Sequence, residues 1–498
     1  MFSPSLEEVR EISKNKEYKR IPVSYELFSD IATPIEVLRV LKGISKHCYM
    51  LESIEDAEKW GRYTFLGFNP ILEFTCQNYV VRIKGDENFE KFTDDEITIG
   101  TSNPSEIIRD LVKLNKSPKL DYLPPFTGGF VGYFAYDYIK YAEPSLKLDA
   151  ENQDQFKDID LMLFDKVIAF DNFKQKIILI YNMKTDDVEE NYKKARSELK
   201  ELAELIKNGK KAEIKPLMLK SEFKPAFSKE KYCGMVVKAK NYIREGDIFQ
   251  VVLSNRIEAD ITGSLFDTYR VLRTTNPSPY MFYFSSDDIE IAGASPETLV
   301  KLTDRKLYTF PLAGTRPRGM TEEEDLKLEE ELLADEKELA EHNMLVDLGR
   351  NDIGRISEIG SVHVDKYLSI ERFSHVMHIG STVSGTLRSD LDSLAAIDSI
   401  LPAGTLSGAP KIRACEIINE LEDNKRGIYG GAIGYVDLSG NIDTCISIRI
   451  AFARNNKVFI RSGAGIVADS VPETEFEECL NKAAAVINAL RIADGGIE

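Results

Sequence analysis

Four glutamates in two distant stretches have the spacing of paired ligands. In DEKELAEHNML, Glu338 and Glu341 are three apart, and in PETEFEECLNK, Glu475 and Glu478 repeat the interval. Residues three apart on a helix share a face, so each stretch, as a helix, presents two carboxylates to one side. Both stretches carry helix-start signals. Asp335 is a capping residue type, and Pro472 suits the first helical position, where a missing N–H costs nothing. Two such faces brought together would suit a hard divalent cation such as Mg²⁺, which takes one or two carboxylates and leaves other positions to water or an anionic substrate. The same spacing also serves a plain solvated face, and Glu478 with Lys482 is an ordinary i,i+4 pair.

Around these glutamates lie Gly-rich segments at expected strand ends: Ala313-Gly314-Thr315-Arg316, Ala403-Gly404-Thr405, Tyr429-Gly430-Gly431 and Gly463-Ala464-Gly465. Their backbone N–H groups, with Arg316 and Arg449, suit carboxylates, which arginine grips bidentately. Glycines at strand ends are also ordinary turns. No Walker spacing occurs, and no GxGxxG opens a βαβ unit, so nucleotide binding is not indicated. The five histidines, His47, His342, His363, His375 and His378, lack metal-ligand spacing as a group. His375 and His378 fall in one strand-like run at odd separation and point to opposite faces.

The elements that must position these groups fit a folded chain of ordinary composition. Its 498 residues are 43% hydrophobic and 29% charged, enough for two to four domains with a sizeable core. A net charge of −18 argues against nucleic acid or an anionic membrane surface as partner. Cys48, Cys76, Cys233, Cys415, Cys445 and Cys479 are scattered and read as reduced thiols. With no apolar leader and no span-length apolar run, the cytoplasm is the expected location.

Residues 1–20 read as a polar helix, 33–46 as a capped amphipathic helix, and 48–51, 63–68 and 71–83 as strands. The run 161–182 reads as two strands joined at Asp171-Asn172. The Lys- and Pro-containing stretch 209–226 is the best linker, dividing the chain into 1–212 and 225–498. In the second part, 228–244 is expected as helix, 321–351 as mostly helix, and 376–387 as strand. Three strands near 430–438, 442–454 and 457–463 have tight links that imply hairpins. Strands do not alternate regularly with crossover helices, which favours an α+β fold with large antiparallel sheets over a doubly wound one.

Longer motifs occur in one order over residues 245–478: EGDIFQVVLS, NPSPYMFYF, ASPETL, PLAGTRPRG, KELAEHNMLVDLGRND, PAGTLSGAPK, YGGAIGY and IRSGAGIVADSVPETEFEE. With Leu51-Glu52-Ser53 near the start, they resemble the chorismate-utilising enzymes, and among them the anthranilate synthase group. The resemblance implies Mg²⁺-dependent addition of ammonia to chorismate, loss of the ring hydroxyl, elimination of pyruvate and aromatisation to anthranilate. It puts metal ligands on Glu341 and Glu478, with Glu338 and Glu475 acting through water. It puts chorismate contacts on Gly314, Thr315, Tyr429, Arg449, Gly463, Ala464, Gly465 and Lys482, with Thr405 nearby. Glu297 matches the acid for the departing hydroxyl, and His378 a histidine of the later elimination.

Two positions discriminate among relatives. Gln250 stands where isochorismate synthases carry a water-activating lysine. Ala313 stands where many aminodeoxychorismate synthases, the runner-up reading, carry a nucleophilic one. Ser53 and Pro279, Tyr280 and Met281 match a tryptophan feedback pocket. The chain shows no glutaminase nucleophile, so the resemblance also implies a separate glutamine amidotransferase subunit as ammonia source.

Overall fold

Alternation along the strands sorts apolar side chains onto two faces, and both faces are buried. In the strand Tyr280–Ser285, Met281 and Tyr283 enter a core beneath helices, while Phe282 and Phe284 enter a core between sheets. Ile177 and Leu179 against Ile178 and Ile180 repeat the pattern in Lys176–Lys184. Successive strand side chains point to opposite faces, so such runs demand cover on both sides. The computed structural model describes residues 2–53, 61–85, 96–372 and 376–497. Among these, a fourteen-stranded and a twelve-stranded sheet face each other. Helices Pro34–Lys42, Val188–Asn208, Phe266–Thr275 and Pro472–Ala493 cover the first sheet. Helices Pro104–Leu114, Glu336–Gly354 and Ser393–Ile400 cover the second. The named strand pairings are antiparallel throughout, as expected for an α+β chain.

Strands from early and late in the chain share both sheets. Cys48–Glu52 pairs with Tyr280–Ser285 in the first, and Gly129–Phe134 pairs with Ala432–Asp437 in the second. A division at 212/225 therefore follows the order of the chain and cuts across both sheets. The linker stretch itself runs along a sheet edge, where Met218–Leu219 and Lys224–Pro225 pair with Gln250–Thr262.

Four strand readings differ from the structure. The run 71–83 is a hairpin of Leu72–Gln77 and Val80–Gly85 turned at Asn78-Tyr79. The run 161–182 holds three strands, Ile159–Phe164, Lys166–Asp171 and Lys176–Lys184, because the chain leaves the second sheet for the first at Asp165. The run 442–454 is two strands, Ile442–Ile446 in the second sheet and Ile450–Arg454 in the first. In both cases the polar interruption is brief, Asp165-Lys166 in one and Ser447 and Arg449 in the other, and apolar strand residues resume at once, so the change of sheet reads as a continuation. Gly463-Ala464-Gly465 is paired strand within Lys457–Ile466 and not a loop. Its small side chains resemble a turn in sequence only.

Candidate active site

Two crossings between the sheets place the central groups. Glu290–Ser295 in the first sheet continues through Glu297 into Thr298–Thr303 in the second. Ile442–Ile446 returns through Ser447-Ile448-Arg449 into Ile450–Arg454. The crossings are tied together: Ser295 Oγ donates to the Ile446 carbonyl at 2.7 Å, Ile446 N–H donates to the Glu297 carbonyl at 2.9 Å, and Ala294 N–H donates to the Arg449 carbonyl at 3.2 Å. Arg449 has φ 52°, a left-handed backbone that a non-glycine residue keeps only where its surroundings hold it. Glu297 and Arg449 are thus fixed by both sheets.

The Glu297 carboxyl is packed in protein, and that burial pushes its pKa up to about 7 against the opposing pull of Thr405, Arg449 and Lys482. Thr405 Oγ1 donates to Glu297 Oε1 at 3.0 Å. Beside this pair lies a cavity of about 40 Å³, lined among others by Pro311, Leu345, Leu348 and Ala403. That is room for water-sized guests. Burial lowers the pKa of Arg449, which faces Glu297.

His378 lies opposite a β-bulge. Ala313 pairs with Ile379 and Arg316 with Met377, which leaves Gly314 and Thr315 together against His378. A two-against-one count is what a bulge is, and Gly314 supplies its φ of 64° at no side-chain cost. His378 Nδ1 lies 2.8 Å from the Gly314 carbonyl and 3.1 Å from Thr315 Oγ1. A carbonyl only accepts, so Nδ1 carries the proton and Nε2 the lone pair. Burial lowers the His378 pKa, the Gly314 carbonyl opposes, and Arg449 adds to the lowering. The ring is therefore neutral at physiological pH, with its basic nitrogen at Nε2.

Gly463 and Gly465 direct their amides to a strand edge that carries no ladder partner among the described residues. Opposite them, Ser254 N–H donates to Glu422 Oε1 and Val252 N–H donates to the Ser407 carbonyl. Neither partner therefore donates across to the glycines. In an antiparallel pair such residues turn both backbone groups away from each other. The neighbouring strand on that side, Ile450–Arg454, begins its pairing only at Ala451 opposite Ile460. The edge past Ile460 thus lies alongside the Arg449 crossing. A Cβ on Gly463 would meet the Leu253 carbonyl at 2.6 Å and Tyr429 Oη at 3.1 Å, so only glycine fits there. Gln250 packs its amide over Gly465, with Nε2 2.8 Å from where a Cβ would stand. Ala464 is buried between the two glycines.

Glu341 on one helix lies within electrostatic reach of Glu478 on the other. Asp335 caps Glu336–Gly354 through the N–H groups of Lys337 and Glu338, and Pro472 opens its own helix, as their residue types predict. Burial raises the Glu341 pKa, with Glu338 and Glu478 adding to the shift while Lys482 and Lys337 oppose it. Burial likewise raises Glu475, with Glu478 adding and Lys482 and Lys337 opposing. Carboxylates from both helices therefore sense one another. Lys482 stands among them: its Nζ is 2.7 Å from Glu478 Oε1 and 3.3 Å from the Gly463 carbonyl, and its charge reaches Glu297. Glu338 also reaches the bulge, 3.3 Å from a Cβ built on Gly314 and 3.7 Å from Arg316 Nη1. Crowded acids that Lys482 and Lys337 only partly offset fit a divalent cation. Among the described residues, they do not close to a cage in which three ligand atoms lie within 4.8 Å of one another. That openness suits Mg²⁺, which keeps water and substrate oxygens in its shell.

The candidate feedback residues sit at one end of a strand pair. Met281 is opposite Glu52, so Ser53 adjoins Pro279 and Tyr280. Among the described residues, the buried Ser53 Oγ has no hydrogen-bond partner, which suits contact with a ligand. Glu52 is held by Arg273 and, at 2.6 Å, by Tyr269 Oη. Tyr280 Oη reaches Thr298 Oγ1 and Asp443 Oδ1, both at 2.9 Å, so its hydroxyl is engaged next to Glu297. His375 lies outside the described residues. Buried His342 bonds Ser381 at 2.7 Å, and burial lowers its pKa to about 4. That is a packed structural histidine.

Sequence reasoning missed the support beneath the site. Glu422 binds both Arg426 and Arg461, at 2.5 and 2.6 Å, with all three side chains buried. Arg426 also donates to the Leu406 and Val252 carbonyls, pinning the Thr405 segment to the strand opposite Gly465. Glu422 and Arg426 stand at i,i+4 in a charged run that reads as a solvated helix end, and no spacing links residue 461 to residue 422.

Comparison with known proteins agrees with this arrangement. Residues 47–488 match the model of a family described as chorismate binding enzyme. The anthranilate synthase component 1 of Acetivibrio thermocellus is 45% identical, with 99% of each chain covered. That of Aquifex aeolicus is 44% identical over 98% of each. The crystal structure of anthranilate synthase component I from Streptococcus pneumoniae superposes with a TM-score of 0.74 at 38% identity, covering 92% of this chain and 98% of that one. A menaquinone-specific isochorismate synthase from Escherichia coli shares the fold at 20% identity, with a TM-score of 0.68 over 97% of this chain and 98% of that one. By sequence and by architecture, the chain belongs to the chorismate-binding enzymes, among relatives named anthranilate synthase component 1.

Proposed function

We propose that the chain converts chorismate and ammonia to anthranilate and pyruvate. The observation that carries this reading is the position of Lys482, whose charge reaches Glu297 on one side and the two glutamate pairs on the other. A proton donor and a cation site are thereby joined into one centre. Glu341 and Glu478 would hold Mg²⁺, with Glu338 and Glu475 acting through water. Bound there, the ion supplies Lewis-acid and templating chemistry at the ring carboxylate.

The remaining work falls to the chain's own residues. Arg449 and the Gly463 and Gly465 amides bind carboxylate, with Tyr429, Gly314 and Thr315 shaping the pocket. Glu297, protonated in part near neutral pH, gives its proton to the departing ring hydroxyl. His378, neutral and basic at Nε2, takes the ring proton released on aromatisation. Gln250 offers an amide, which is no base toward water, and Ala313 offers no nucleophile. Both favour direct attack by ammonia over isochorismate or aminodeoxychorismate chemistry.

A glutamine amidotransferase subunit, the component II that the relatives' numbering implies, supplies the ammonia, and free ammonium substitutes for it. Tryptophan binds at Ser53 and Pro279–Met281 as feedback inhibitor. Among the described residues no helix is long and apolar enough to cross a membrane, and we place the reaction in the cytoplasm. The test is fluorescence of anthranilate formed from chorismate, ammonium and Mg²⁺ by the purified chain with no lyase added. An aminodeoxychorismate synthase would form no anthranilate, and absence of anthranilate together with p-aminobenzoate appearing once a lyase is added would overturn the reading.

A further inference from the structure

At the other end of the strand pair that carries Ser53, three side chains from three elements meet. His47 precedes Cys48–Glu52, Glu73 lies in Leu72–Gln77 of the second sheet, and Asp287 lies in the turn between Tyr280–Ser285 and Glu290–Ser295. Their ligand atoms all lie within 4.8 Å of one another. His47 Nε2 is 3.3 Å from Glu73 Oε1 and 3.6 Å from Asp287 Oδ2. Cys48 pairs with Ser285 while Glu52 pairs with Met281, so about six residue steps, roughly 20 Å of strand, separate His47 from Ser53.

An ordinary histidine–carboxylate ion pair does not account for the geometry. Nε2 is buried and close to two carboxylate oxygens, yet forms a hydrogen bond with neither. An N–H bonded to one oxygen would point along that line. Here the nitrogen and both oxygens lie within 4.8 Å of one another with no hydrogen bond at the nitrogen, a spacing that fits ligands around a common centre. We propose that His47, Glu73 and Asp287 form a site for a divalent transition-metal ion of the Zn²⁺ class. Imidazole nitrogen suits such ions, while all-oxygen sets suit Mg²⁺, so the donor set separates this site from the glutamate pairs. With three protein ligands, water completes the shell.

Lys46 and Lys84 flank Asp287 at 3.7 and 4.0 Å. Their side chains are 80% and 55% exposed, so both can swing into solvent as the ion enters. Bound there, the ion clamps the first sheet to the second at the end of the Cys48–Glu52 and Tyr280–Ser285 pair.

The experiment titrates metal-free full-length protein with Zn²⁺ in excess Mg²⁺ by calorimetry, and with Co²⁺ by visible absorption. The wild type is expected to take one equivalent of Zn²⁺, to give Co²⁺ bands characteristic of imidazole ligation, and to melt at a higher temperature with Zn²⁺ present. His47→Gln, and Asp287→Asn in the exposed turn, are expected to weaken Zn²⁺ binding by about tenfold or more and to lose the thermal shift. Glu341→Gln is expected to keep both. Absence of Zn²⁺ binding in the wild type, unchanged affinity in the folded Asp287→Asn protein, or loss of binding in Glu341→Gln would each overturn the proposal.

Discussion

Replacing Thr405 by valine isolates the hydrogen bond that acts against Glu297 being an acid. The hydroxyl donates to Glu297 Oε1 at 3.0 Å, and a donor favours the ionised carboxylate. Burial pushes Glu297 up to about 7 in spite of that donor. A hydrogen bond to a charged group contributes about 1.5–3 kcal/mol, and one pKa unit is about 1.4 kcal/mol. The carboxyl borders a cavity of about 40 Å³, where water partly replaces the lost donor, so the low end applies, roughly one unit. The sign follows from the role. A proton donor acts below its pKa and fails above it, so kcat falls as pH rises through about 7 in the wild type. In Thr405→Val the midpoint of that fall moves up to about 8, even if the maximal rate drops. The assay is anthranilate fluorescence across pH at saturating chorismate and Mg²⁺, with free ammonia held constant. An unmoved midpoint, or one shifted to lower pH, would refute the assignment of Glu297 as the acid restrained by Thr405.

Glu341→Gln is expected to remove Mg²⁺-dependent turnover while leaving the thermal melt near that of the wild type, since the exchange relieves carboxylate crowding; retained turnover at saturating Mg²⁺ would count against the ligand assignment. Ser53→Phe replaces a buried hydroxyl that has no partner among the described residues with a bulky ring and should leave synthase activity intact while relieving inhibition by tryptophan, read from inhibition curves of the two proteins. Glu422→Gln leaves two buried guanidinium groups without their counter-charge and should cost about 3–5 kcal/mol in urea unfolding; a loss under about 1 kcal/mol would show that the backbone carbonyls around Arg426 and Arg461 suffice.

Local chemistry was legible in the sequence, and topology was not. The caps at Asp335 and Pro472, the three-residue spacing of each glutamate pair, and most helices follow from rules that act within one turn. The change of sheet at Ser447–Arg449 was hidden, because the residues on either side are equally apolar and equally β-forming. For the same reason Gly463–Gly465 looked like a loop: a glycine needed for close approach to Leu253 and Tyr429 has the same letter as one needed for a turn. The convergence of the four glutamates came from family resemblance, since spacing within a helix says nothing of which other helix it faces. The histidine–carboxylate cluster at His47 has no sequence signature, its three members lying on separate elements.

Because Glu297 and Arg449 each occupy a passage from one sheet to the other, the gap between the sheets acts as a ruler for the centre. Phe156, in the segment leading into Ile159–Phe164 of the second sheet, packs on Phe452 and Phe459 of the first, with ring centroids 5.4 Å apart in each pairing. Trimming one of these rings alters the spacing of proton donor and guanidinium from a distance, so turnover becomes a more sensitive gauge of inter-sheet packing than the melting temperature.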